Sequence, residues 1–510
     1  MIDLLLTNGT IYTLHPSRPR ATALGIRDGR IIAFDDDARA RQTAQTETLD
    51  LRGRVVIPGI TDYHIHFTAY AMSKTRVLLD GARSLEEVVA RVAARVKTAQ
   101  PGEWIFGLRW NQLDWTVPNF PTKEPLDAIA PNNPVVLKRQ DGHSAWVNSA
   151  ALRAKNISRD TPDQAGGVID RDANGEPTGT LRENAMDLLG AQGGFAPADI
   201  SEEILLGALR AANKLGLTGI HNVEGASSLR AFQNLRAKDK LTLRVAHTVP
   251  SESLDRALEL GLRGGFGDDW LRIVGVKIFS DGALGSQTAW MLEPFEGQPN
   301  NRGVATHSMD EIERLARAAG QAWMAVYTHA IGDRANREVL NVYEKLRGEK
   351  ITAPFRIEHA QHLDRADIPR FAALNVIASM QPIHATSDYK MADQLVGARG
   401  RYSYAFKSLL NAGAALAFGS DCPVETLDPW VGIHAAVTRE RANGEPTGGW
   451  YPEEKLTIEE TLRAYCNPLS QNARADCIML SQDIFAVPPR EILQTRVETT
   501  IVSGKVICDF

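Results

Sequence analysis

Eight short apolar runs constrain this chain's fold more than any other feature. They fall at 55–66, 217–223, 243–249, 273–279, 324–329, 355–359, 376–380 and 414–421. Amphipathic stretches such as 310–320 and 334–346 lie between several of them. Apolar runs of this length alternating with helical periodicity read as β-then-α units. Eight units predict an α/β chain folded as a (β/α)8 TIM-like barrel, with its chemistry at the C-terminal strand ends.

Three regions stand apart from the alternation. Residues 1–55 and 477–510 read as short strands, and the dipeptides Asn8-Gly9 and Asp28-Gly29 carry hairpin signals. The economical reading is one small β-sandwich built from both termini, because chain ends often lie close together. Residues 56–476 then form the barrel. Within it, 70–210 breaks the pattern and reads as a large insertion after the first barrel strand. A helix is expected at 84–97, and strands at 104–110 and 135–137. Trp104, Trp110, Trp115 and Trp146 concentrate here. Such a long insertion is expected to act as a lid or wall, or else as a cap with its own core.

Composition excludes several function classes. Lys and Arg number 57 against 62 Asp and Glu, a formal net charge of −5. That gives no basic field to recruit nucleic acid or anionic lipid. No apolar run nears the roughly 20 residues that span a bilayer. The first residues lack the basic and apolar regions of a signal peptide. Cys422, Cys466, Cys477 and Cys508 are too few and too scattered for a disulfide framework, so a reducing cytoplasm is the expected location.

The strand ends carry the chemistry. His64 and His66 share one face of the first strand, roughly 7 Å apart, and two imidazoles so placed can grip one metal ion. Lys277 sits inside an apolar strand, an unfavourable place for an ammonium unless it is paired or modified. His329 and His359 close two further strands, and Asp421 follows the last. A barrel would bring these ends to one mouth. Nitrogen and oxygen donors without thiolate suit zinc and several other divalent metals. His143, Asp281, His384 and Asp388, with His221 on the second strand, are candidates for substrate contacts or for orienting ligands. Trp110 and Trp146 could wall an apolar substituent or fill the core of the insertion.

The ordered set resembles the amidohydrolase superfamily. Its markers are His-x-His on the first strand, Lys on the fourth, His on the fifth and sixth, and Asp on the eighth. Several phrases are similar to the branch typified by N-substituted formamide deformylase: Gly142-His143-Ser144-Ala145-Trp146, Lys277-Ile278-Phe279-Ser280-Asp281-Gly282, His329-Ala330-Ile331-Gly332-Asp333, Ile357-Glu358-His359-Ala360-Gln361 and Gly419-Ser420-Asp421. The resemblance covers nearly the whole chain. It implies that His64, His66 and Asp421 bind the more buried ion. It also implies that His329 and His359 hold a second, and that Lys277, N-carboxylated, bridges the two. One or two divalent ions, zinc by expectation, would activate a water for attack on a carbonyl-type carbon. Asp421 would be the catalytic proton carrier.

The implied function is hydrolysis of a C–N bond, an amide, N-formyl or related group, in a small organic substrate. A lactone or ester hydrolase on the same site, or a non-catalytic binding or assembly protein, is the alternative. One departure from the family stands out. About 20 residues are missing near 466–476, judged from the resemblance. Their loss should leave an unpaired edge or a shortened sheet, which a homodimer could cover.

Overall fold

The structure is a computed structural model. It describes residues 1–74, 76–112, 115–139, 144–164, 167–190, 200–285 and 287–509. The chain divides into two compact units, Met1–Tyr70 with Leu205–Phe510, and Ala71–Ile204.

The first unit holds the expected parallel sheet. Its strands are Ile60–Ile65, Leu217–Asn222, Arg244–Pro250, Leu271–Phe279, Ala325–Ala330, Phe355–His359, Val376–Met380 and Leu416–Phe418. They pair in chain order, each parallel to the next. The first and last strands meet through their C-terminal ends. The Asp421 N–H donates to the His64 carbonyl at 2.8 Å and the His66 N–H to the Cys422 carbonyl at 2.9 Å. The buried Asp62 carboxylate fastens this seam. It accepts the Ser420 N–H at 3.0 Å, the Ser420 hydroxyl at 2.5 Å and the His64 N–H at 3.1 Å. No side chain fits at Gly419, where a Cβ would lie 2.5 Å from the His64 nitrogen and 2.7 Å from Asp62 Oδ1.

Helices pack outside these strands for ordinary reasons. In Met309–Gln321, Ser308 caps the start by accepting the Glu311 N–H. Ile312, Leu315, Ala316 and Ala319 are buried. That spacing forms a single helical stripe. Removing such a cap costs about 1 kcal/mol.

Both chain ends contribute to a second eight-stranded sheet, including Leu4–His15, Arg18–Arg27, Arg30–Phe34, Val55–Pro58, Cys477–Leu480, Val497–Val502 and Lys505–Asp509. The hydrogen bonds link all eight strands into one connected sheet, not two. Asp28-Gly29 turns a hairpin as expected, with positive φ at both residues. Asn8-Gly9 does not. Leu4–His15 runs straight through it, and the pairing register with Arg18–Arg27 shifts between Thr7 and Ile11. The dipeptide is a bulge, because Leu51 and Arg54 crowd the chain there. A Cβ on Gly9 would lie 2.5 Å from the Arg54 carbonyl oxygen.

The short connection at 466–476 leaves no open edge at Arg30–Phe34. The Ile31 N–H donates to Ala473 O and the Asn472 N–H to Ile31 O, at 3.0 and 2.7 Å. Cys477–Leu480 is paired on both sides. Where an unpaired edge was expected, loop backbone at residues 472–474 pairs with Arg30 and Ile31.

The second unit is built on a six-stranded sheet, in the order Gly167–Arg171, Pro177–Glu183, Ser144–Val147, Val135–Arg139, Ile105–Trp110 and Val77–Leu78. Helix Leu85–Val96 buries Val88 and Val92 against the same core as Trp110, Trp115, Leu126, Leu137 and Trp146. Trp110 and Trp146 are fully buried there, with ring centroids 6.2 Å apart. Their indole N–H groups donate to the Leu137 carbonyl at 2.7 Å and the Thr122 carbonyl at 2.8 Å. Both tryptophans take the core role, because each ring is enclosed and its one polar atom is satisfied inside the unit. The substrate-wall role is corrected accordingly. No helix among the described residues is long and apolar enough to cross a membrane.

Candidate metal centre

The strand ends of the barrel bring the sequence-selected groups together. His66 Nε2 lies 3.3 Å and His64 Nε2 3.7 Å from Asp421 Oδ1. On the other side of the carboxylate, His384 Nε2 is 4.0 Å from Asp421 Oδ2. Two groups of donor atoms each lie within 4.8 Å of one another: His64, His66 and Asp421, and His359, His384 and Asp421. Asp421 belongs to both. The His359 ring is 4.9 Å from that of His64 and 4.6 Å from that of His329. Two members sit in left-handed backbone, His359 at φ 74° and Asp421 at φ 56°. Such conformations cost of order 1–3 kcal/mol and concentrate at functional sites.

Neighbouring groups fix the imidazoles. His64 Nδ1 lies 2.5 Å from Glu358 Oε2, which leaves Nε2 facing Asp421. Glu358 is in turn held by Arg356, whose Nε donates at 2.9 Å; Arg356 also donates to Ser379 Oγ and the Tyr63 carbonyl. His359 Nδ1 pairs with Gln381 Oε1 at 2.9 Å. Sequence reasoning gave neither Glu358 nor Gln381 a role. A signal existed for Glu358: Arg356 and Glu358 are two charges on one face of an otherwise apolar strand, and buried charges are kept only when paired.

Burial sets the charge states. It lowers His64 to about 4 and His329 to about 3, with the Lys277 ammonium as the second cause in each. His359 also falls well below the usual imidazole range through burial and the adjacent His329. These histidines are neutral at physiological pH and offer lone pairs. Burial opposes ionisation of Asp421, but the His66 hydrogen bond and the nearby His64 and His359 rings hold it well below the usual carboxylate range. Burial lowers the Lys277 amine to about 8.

The remaining candidates divide. Asp281 accepts backbone N–H groups from Trp290, Ile331 and Gly332 at 2.9, 3.0 and 2.8 Å, which makes it an organiser of the loops around His329. Burial raises its pKa to about 7. His329 Nε2 contacts the Gly282 carbonyl at 2.9 Å, and its Nδ1 has no hydrogen-bond partner. His221 lies deeper, with Nδ1 2.8 Å from the Tyr327 hydroxyl. Asp388 accepts the Tyr404 hydroxyl at 2.6 Å. His143 lies outside the described residues. Phe279, unremarked in the sequence, is 43% exposed at the end of the fourth strand. Its ring is 5.2 Å from the His329 ring and 5.0 Å from Lys277 Nζ.

The donor set suits a divalent cation. It consists of imidazoles, with His64, His329 and His359 neutral, and one ionised carboxylate, and two buried imidazole nitrogens, His329 Nδ1 and His384 Nε2, have no hydrogen-bond partner. A buried polar atom without a partner is costly, and a cation at the mouth would satisfy both.

The profile of the Amidohydrolase family matches residues 47–467. The chain belongs to that family. It is 32% identical to the YtcJ protein of Bacillus subtilis (strain 168), over 98% of each chain. It is 28% identical to N-substituted formamide deformylase of Arthrobacter pascens, over 99% of this chain and 98% of the other. The crystal structure of an uncharacterized metal-dependent hydrolase from Pyrococcus horikoshii OT3 superposes with a TM-score of 0.81 at 29% identity, covering 95% of this chain and 99% of that one. Membership of the amidohydrolase family supports a hydrolase, and these relatives cover between 95% and 99% of the chain.

Proposed function

We propose that this amidohydrolase cleaves a C–N bond, an amide, N-formyl or related linkage, in a small organic molecule. The observation that carries the reading is Asp421, an ionised carboxylate shared by two histidine groups at the mouth of the barrel. His64, His66 and Asp421 would hold one divalent ion, zinc by preference. His329 and His359, with His384 in reach, would hold a second, and Lys277 carboxylated on Nζ would bridge them. The lowered Lys277 pKa favours that modification, because only a neutral amine forms a carbamate. When bound, such an ion supplies a Lewis acid and a water of lowered pKa.

The chain's own groups do the rest. Asp421, kept ionised by its neighbours, accepts a proton from the attacking water and delivers it to the leaving nitrogen. Glu358 and Gln381 hold His64 and His359 in one tautomer. Phe279 offers an apolar face to a substituent on the substrate. Asp281 keeps the Gly282 and Ile331 loops in place around that space.

A hydrolysis screen of N-formyl amines, N-acyl amines, cyclic amides and lactones on metal-supplemented protein tests the reading. Turnover of an amide or N-formyl compound is expected. Turnover confined to lactones would overturn the bond assignment. In the same assay, Asp421→Asn should lower kcat by about 10²–10⁴; near-full turnover with metal retained would remove Asp421 from proton transfer.

A further inference from the structure

The barrel has a second polar cavity, at the end opposite the metal centre. It measures about 280 Å³ and opens among the N-terminal ends of the first four strands and the short 466–476 connection. That is the small end of the range for ligand pockets. Arg244, Arg272 and Arg474 line it with Asp269 and Asp476, and His221 closes its inner side.

The charges do not cancel. Arg244 pairs with Asp476 through two hydrogen bonds of 2.6 and 2.9 Å. Arg474 pairs with Asp269. Arg272, half-buried at the start of the fourth strand, makes no hydrogen bond or ion pair among the described residues. Three guanidiniums and two carboxylates line the cavity, and Arg272 is the guanidinium that neither carboxylate holds by a hydrogen bond. Burial, and then the Arg474 guanidinium, lowers the Arg272 pKa from its ordinary value, while the Asp269 and Asp268 carboxylates pull it back up. A guanidinium fork matches two oxygens of one anion. Along the fourth strand, Lys277 stands five positions after Arg272, about 16 Å away, so an anion here would not touch the metal ligands.

We infer that the barrel floor is a binding site for a small oxyanion, a phosphate or a short dicarboxylate, held by the Arg272 guanidinium in the cavity left by the short 466–476 connection. The site stands independently of the C–N hydrolase reading.

Calorimetric titration of the metal-loaded full chain tests it, with inorganic phosphate in one arm and succinate in the other, in chloride buffer near neutral pH. Saturable binding in either arm is expected, and the arm that saturates identifies the source. Arg272→Gln should raise Kd about tenfold or more. Ala246→Glu approaches the site from the opposite direction by adding a carboxylate to the cavity lining, and should abolish binding while the thermal melt is retained. A lost response in either folded variant supports the site. No saturation by either anion up to about 10 mM, or binding unchanged in both variants, as binding at the metal centre would be, overturns it.

Discussion

Gln381 shows how much of this site depends on groups that touch no substrate. Its Oε1 fixes the tautomer of His359, while its Nε2 has no partner of its own. Gln381→Met removes the acceptor and leaves His359 Nδ1 without its partner. We expect metal affinity to fall about 10–100-fold, read by competition with a chelating dye, and stability to fall by about 1–3 kcal/mol; unchanged affinity would deny Gln381 an orienting role. The buried histidines make a second prediction. His64 and His329 are lowered to about 4 and about 3 in the fold, whereas unfolded histidine titrates near ~6.5. The unfolded chain therefore takes up protons first as pH falls. The contribution of these two rings to the stability of the metal-free protein should be full above about pH 6.5 and decline as pH drops towards 4 and then 3, while Asp62 and Asp281, raised to about 7, act in the opposite sense between pH 7 and 4. A His64 or His329 ring whose proton resonances titrate near ~6.5 in the folded metal-free protein would contradict the burial of these rings as neutral ligands. All six proposed ligands were legible in the sequence, because His, Lys and Asp at the ends of apolar strands have few structural uses. Glu358 and Gln381 were not. A side chain that orients a ligand looks, in sequence, like any polar residue beside it.

At the scale of elements, the seam between the first and last barrel strands is the joint that sets the metal site. Gly419 must be glycine there, since a Cβ would strike the His64 backbone and the Asp62 carboxylate. Gly419→Ala should cost about 1–3 kcal/mol in urea unfolding and loosen metal binding with it; a wild-type midpoint and wild-type metal affinity would show that the seam can open freely. All eight barrel strands were readable, because a parallel strand buried on both faces is a nearly continuous apolar run. Much of the second unit was not. Val77–Leu78, Gly167–Arg171 and Pro177–Glu183 are short or interrupted by glycine and charge, so their pairing is decided by tertiary contact. Asn8-Gly9 misled for a related reason. The dipeptide carries the local signal of a hairpin, but the close approach of Arg54 and Leu51 turns it into a bulge.

At the scale of the whole molecule, one barrel holds two differently charged ends. Its C-terminal mouth gathers imidazoles around one ionised carboxylate. Its N-terminal floor keeps an unpaired guanidinium beside a cavity. Family membership supports a hydrolase, and under the proposed function the first end would be the place of hydrolysis, with substrate choice left to side chains such as Phe279. The claim on which the account rests is that His64, His66 and Asp421 are metal ligands. Elemental analysis of protein purified without chelator tests it directly, beside a His64→Asn/His66→Asn variant that retains its fold by circular dichroism. One equivalent or more of a divalent transition metal in the native chain, lost in large part from the variant, is the predicted result. Less than one equivalent in the native chain, or an undiminished content in the variant, would contradict it.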